Sequence, residues 1–183
     1  MKPIGPLMKE HRLIERMVRV LSQQVTEMQE ENSVNTDLLT LAVDFFRTYA
    51  DRTHHGKEED ILFRELAKKK LSPNDKKIMQ ELVEEHVLAR KMVTAFSEAK
   101  ESYRHSKTER LASMVKIGKQ LVAFYPAHIA KEDEEFFYSC LQYLSQQEQD
   151  NMLQEFWKFD RKLIHDKYLS IVEEAEKKEH GLR

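Results

Sequence analysis

The stretch His54–Phe63, HHGKEEDILF, returns at His128–Phe137 as HIAKEDEEFF, and the two align without a gap. His, Lys, Glu and the final Phe coincide at His54/His128, Lys57/Lys131, Glu58/Glu132 and Phe63/Phe137, while acid meets acid at Glu59/Asp133 and Asp60/Glu134. In each copy a His and a Glu stand four residues apart, so on a helix both leave the same face one turn apart, an arrangement a metal ion can use. A second repeat lies upstream of each copy. HRLIERMV from His11 and HVLARKMV from His86 share His, Leu, Met and Val at matching places. His11 precedes His54 by 43 residues and His86 precedes His128 by 42. The chain therefore reads as two copies of one helical hairpin, each with a lone His followed by His-x-x-x-Glu.

The seams around these residues predict four helices. From Pro6, placed as the first helical residue, Leu7, His11, Ile14, Val18, Leu21, Val25 and Met28 recur at steps of three and four. A second helix is expected over about Asn35 to Lys69, with Leu39, Val43, Phe46, Ala50, His54, Glu58 and Ile61 on one face. Gly56 inside it is unfavourable by about 1 kcal/mol relative to Ala, a cost that a close neighbour would justify. Ser72 and Pro73 read as N-cap and first residue of a third helix carrying Leu82, His86, Ala89, Val93 and Phe96, which fades near Tyr103–Ser106. The fourth runs from about Thr108 through Met114, Leu121, His128, Glu132 and Phe136. Pro126 inside it signals a kink or the meeting of two shorter helices. Ser145–Glu148 is a capping box opening a fifth helix through Met152, Phe156, Phe159, Leu163 and Tyr168.

The expected fold is all-α: an up-down-up-down four-helix bundle over residues 1–143, with residues 144–183 as an accessory C-terminal helix packed on the same domain or supplying a homodimer surface. At 183 residues a core of useful size needs no staples. Thirty Lys and Arg against 32 Asp and Glu leave a formal charge of -2, so the balance points to neither nucleic acid nor membrane as a partner. The single Cys140 rules out an intramolecular disulfide and a cysteine-built metal site. The N-terminus lacks the apolar core of a signal peptide, and no run approaches the roughly 18 apolar residues of a membrane span. A cytoplasmic location is expected. No Gly-rich phosphate loop and no GxSxG elbow is present.

Antiparallel helices with short loops bring the four His and two Glu together in the core, where they need a cation to offset their desolvation. Two metals fit: one on His11 and His54, the other on His86 and His128, bridged by Glu58 and Glu132. Imidazole and carboxylate without thiolate suit iron, with manganese or zinc as alternatives. An oxide or hydroxide bridge leaves each ion about five-coordinate, with room for a small ligand. Shifting the helix by one residue makes His55-x-x-x-Glu59 an equally good local pair, although the repeat favours His54. His55, Tyr125 and His165 stay open as further members of the site, with core packing the simpler role for Tyr125. His105 and His180 sit in polar stretches and read as solvated.

With these motifs the chain resembles the hemerythrin-like, or HHE cation-binding, family, whose non-haem di-iron site sits in an up-down four-helix bundle. The resemblance spans His11 to Phe137 and implies iron ligation by His11, His54, Glu58, His86, His128 and Glu132. The sequence departs from the oxygen-carrying hemerythrins in two places. Where they have a second His four residues after the third-helix ligand, this chain has Arg90. Where they have an Asp five residues after the last His, this chain has Asp133, with Glu132 better placed by the repeat. Both departures count against pure oxygen carriage, and an Arg90 near the second metal favours reactive use of oxygen, peroxide or nitric oxide.

Three functions follow in order of preference. The first is a di-iron protein binding dioxygen or a related small molecule for sensing, storage or detoxification, rather than a dedicated enzyme. The second is a di-iron enzyme acting on peroxide, nitric oxide or oxygen. The third is an iron-responsive regulatory module in which the C-terminal segment meets a partner.

Overall fold

A computed structural model describes residues 2–103, 107–160 and 164–179. His105, Leu163 and His180 lie outside the described residues. The described residues form six helices and no strand. Helix α1 is Ile4–Glu30; α2 covers residues 36–66; α3 is Pro73–Ser102; α4 covers residues 107–140; α5 is Gln146–Phe159; and α6 is Ile164–Glu179. Helix α1 packs on α2 and α4, and α3 packs on α2 and α4, which closes a four-helix bundle. Helix α6 lies against α1 and α2, and α5 against the later part of α2. Among the described residues no helix is long and apolar enough to cross a membrane.

The local signals act where the sequence places them. Asn35 caps α2 by accepting from the Leu38 N–H, and Ser72 caps α3 by accepting from the Asp75 N–H, with Pro73 in the first turn. The Ser145/Glu148 capping box opens α5. Helix α1 begins slightly earlier than Pro6 suggests, at Ile4, and Pro6 is tolerated because the first turn's N–H groups need no intrahelical acceptor.

Three stretches differ from simple α-periodicity. Phe46–His55 and Glu58–Phe63 in α2, and Lys131–Phe136 in α4, are wound as π-helix. Both copies of the sequence repeat therefore carry the wide i→i+5 winding, which concentrates at functional sites. Within α2 the Thr53 hydroxyl donates to the Thr48 carbonyl five residues back, serving a backbone acceptor that the changed register alters. Helix α4 runs unbroken through Pro126, so the reading of two shorter helices meeting there is set aside.

The segment read as one fifth helix is two, α5 and α6, separated at Asp160. That residue leaves helical geometry with φ -67° and ψ 103°. Its carboxylate meets Lys57 and His165 there, a tertiary use that a continuous helix is not needed to supply.

The core has two apolar parts. One holds Met17, Leu21, Leu39, Phe46, Val93, Leu121 and Tyr125; the other holds Leu7, Ile61, Phe63, Leu82, Phe136, Phe137 and Phe156. Each seam passes from one to the other through a polar residue: Leu7–His11–Ile14 in α1, Ala50–His54–Ile61 in α2, Leu82–His86–Val93 in α3, and Tyr125–His128–Phe136 in α4. The histidines and glutamates thus form a buried layer between two hydrophobic ones.

Candidate metal centre

All six residues singled out by the repeat are buried in this layer. His11, His54, Glu58 and Glu132 form one group able to hold a metal ion, and His55, His86 and His128 form another. The two carboxylates stand between the groups. Glu58 oxygens lie 3.5 Å from His54 Nε2 and 3.4 Å from His86 Nε2. Glu132 oxygens lie 3.1 Å from His11 Nε2, 3.4 Å from His128 Nε2 and 3.6 Å from His86 Nε2.

His55 lies in the second group, beside His86 and His128. Its ring stacks on His86 with centroids 3.9 Å apart and planes 11° from parallel. Neighbouring residues of an α-helix are turned about 100° from each other. The π winding puts more residues into each turn and narrows that angle, so His54 and His55 both point inward. Tyr125 stacks on Phe46 and does not join either group. His165 also stays outside both; it bonds to Asp160 at 2.9 Å and Tyr49 at 3.0 Å. Arg90 is occupied, donating to Asp51 and Glu59 at 2.7 Å each.

Four of the five histidines turn Nδ1 to a carboxylate and leave Nε2 facing the centre. His11 pairs with Asp133 at 2.8 Å, His54 with Glu10 at 2.9 Å, His86 with Glu59 at 2.7 Å and His128 with Glu85 at 2.7 Å. Each carboxylate has a cation behind it: Arg12 on Asp133, Lys57 on Glu10, Arg90 on Glu59 and Lys131 on Glu85. Such outer carboxylates fix the tautomer and aim of metal-binding imidazoles and raise their basicity. The pattern is reciprocal. The acid after each repeat's Glu, Glu59 or Asp133, orients the lone His of the other hairpin. Glu10 and Glu85 were missed in the sequence although each immediately precedes a lone His in the aligned repeats, which is the signal that could have found them.

The inner atoms are left over. Nine buried side-chain atoms have no hydrogen-bond partner among the described residues: Nε2 of His11, His54, His86 and His128, Nδ1 of His55, and all four oxygens of Glu58 and Glu132. Buried polar atoms in native proteins are paired with few exceptions, and here the exceptions are confined to one cluster. A cation-sized charge at the centre would satisfy them, so the residues fit a metal.

Charge settles consistently with that. Burial opposes protonation of His11, but the hydrogen bond to Asp133 and the close Glu132 carboxylate outweigh it and raise its pKa to about 9. The pull exerted on that proton is one the same carboxylates would exert on a metal. Burial holds His54 down to about 4, and burial with the charges of His86 and His128 holds His55 well below the ordinary imidazole range. Burial, then the charge of Glu132, pushes the Glu58 carboxyl well up. Burial also opposes ionisation of Glu132, but His128, His11 and His86 reverse this and hold it well below the usual carboxylate range. Two acids in one dry pocket compete for a single negative charge unless a cation joins them.

Fold and site together define a helical bundle built around a histidine–carboxylate cluster able to hold metal ions. The chain belongs to the hemerythrin family: the Hemerythrin HHE cation binding domain matches residues 2–140. No curated protein and no solved structure is significantly similar to the chain.

Proposed function

We propose that the chain is a non-haem di-iron protein that binds dioxygen or a related small molecule for sensing, storage or detoxification. His11 and His54 would hold one ion and His86 and His128 with His55 the other, with Glu58 and Glu132 standing between the two groups. The observation that carries this reading is the set of nine unpartnered buried atoms, every one of them on the seven residues of the two groups. Five imidazoles with two carboxylates and no thiolate suit iron, with manganese or zinc as alternatives. Iron in this cluster would supply a redox-active Lewis acid. The protein's own residues supply the rest: Glu10, Glu59, Glu85 and Asp133 hold the imidazoles in their tautomers, and the two apolar cores exclude water from both ends.

A second reading, turnover of peroxide or nitric oxide, is favoured by a cavity of about 280 Å³ that reaches His55 from the surface. The cavity gives a small reactant a way in.

The test is iron content per chain with the optical spectrum recorded before and after anaerobic reduction and re-exposure to air. Wild type is expected to hold two irons with a charge-transfer band that is lost on reduction and returns in air. Glu58→Ala combined with Glu132→Ala is expected to lose the band and most of the iron while remaining folded. Folded wild type that refuses iron under reducing conditions overturns the reading.

A further inference from the structure

We infer that the cavity beside His55 is a receiving site for a small monovalent anion, which it delivers to the His55, His86 and His128 side of the cluster. This rests on the metal reading above and adds the charge and the route of the ligand.

The cavity is lined by Arg47, Asp51, Arg52, His55, Arg90 and Tyr125, with Phe46, Ala89 and Val93 as apolar wall. Three guanidinium groups face one carboxylate. Arg90 is fixed by Asp51 and Glu59. Arg47 and Arg52 are exposed and make no ion pair among the described residues, so their charge acts on whatever enters. Clefts with one sign of charge and low-dielectric walls concentrate ions of the other sign.

At the inner end His55 is 1% exposed, and its Nδ1 has no hydrogen-bond partner; the nearest acid, Asp51, lies 3.5 Å away and is already engaged by Arg90. His11, His54, His86 and His128 are each held by a carboxylate; His55 is not. It is the one imidazole of the cluster that lines the cavity. On the opposite side a larger cavity ends at Glu10, Tyr49, Asp160 and His165 and is lined by none of the cluster histidines, with Lys57 wholly buried between Glu10 and Asp160. A neutral diatomic needs no arginine rim. An anion does, because reaching a buried layer that already holds carboxylates is otherwise opposed by their field.

The experiment compares iron-loaded wild type with Arg47→Glu combined with Arg52→Glu, two rim changes that touch none of the cluster residues. Azide is the anionic probe, titrated by its charge-transfer band, and nitric oxide is the neutral one; iron content is measured first. Azide affinity is expected to fall about threefold at 0.15 M ionic strength and about thirtyfold at 0.01 M. Nitric oxide affinity is expected to change by less than about twofold, since a neutral ligand feels little of the rim field. Azide affinity unchanged at low salt in a variant retaining its iron overturns the inference, as does an equal loss for both probes. Metal-free crystals soaked in bromide supply an arm independent of iron. An anomalous peak among Arg47, Arg52 and Arg90 is expected, and its absence, or a peak that persists in the double variant as an adventitious ion only, counts against the site. Loss of iron uptake by wild type would instead strike the di-iron reading, and shows in the metal content alone.

Discussion

The two halves of the cluster come from one repeat and end in different surroundings. In the first, Lys57 is 0% exposed and Glu10 3%; in the second, the equivalent Lys131 and Glu85 are each 24% exposed. The cause is the C-terminal pair of helices. Asp160, at the break between α5 and α6, reaches Lys57 at 2.7 Å, and Phe159 lies where a Cβ on Gly56 would come within 2.9 Å of its ring. The residue aligned with Gly56 is Ala130, and the residue aligned with His55 is Ile129, which is buried in the apolar core. A duplicated hairpin thus supplies matched histidines and glutamates, while the segment outside the duplication covers Lys57 in one half, and only the other half brings a cluster histidine, His55, to the wall of a cavity. Symmetry builds the buried polar layer, and the departures from symmetry make its two halves unequal.

The sharpest way to break this comparison is to remove the two equivalent lysines. Lys57→Met leaves buried Glu10 and half-buried Asp160 with only the imidazoles of His54 and His165 as partners and is expected to destabilise metal-free protein by about 3–5 kcal/mol in urea denaturation. Lys131→Met acts on a half-open pair and is expected to cost no more than about 1 kcal/mol. Equal losses would mean that the C-terminal helices do not seal the first half.

Gly56→Leu tests the seal at its tightest contact. It is expected to cost about 2 kcal/mol by overpacking Phe159. Adding Phe159→Ala should recover part of that loss, giving a favourable coupling in a double-mutant cycle followed by thermal unfolding. Additive effects would show that the glycine accommodates something other than the ring.

Much of the fold was legible because burial, period and capping agreed. Leu7, Ile14 and Leu21, or Leu82, Ala89 and Phe96, are spaced as one buried helix face requires, and Ser72 and Ser145 cap the helices they precede. The six repeated metal-type residues were legible for the same reason, since each occupies a seam position where an apolar side chain would otherwise stand. His55 was not. The repeat matches it to an isoleucine, and α-periodicity turns it away from His54; only the π winding, which leaves no period in the sequence, brings both inward. The break at Asp160 was hidden as well, because Met152, Phe156, Phe159 and Leu163 follow one another at steps of three and four in the sequence, and the reason for the break is a lysine on another helix. Lys57 and Lys131 were visible as matched residues, but their carboxylate partners on α1 and α3 come from the tertiary fold.

The central claim is that one buried layer holds two ions in two unequal halves. Its most direct test is an anomalous difference map at the iron edge from crystals of iron-reconstituted protein. Two peaks are expected, one against His11 and His54 and one against His55, His86 and His128, with Glu58 and Glu132 between them. A single peak, or a second peak from which His55 is turned away, would contradict the account.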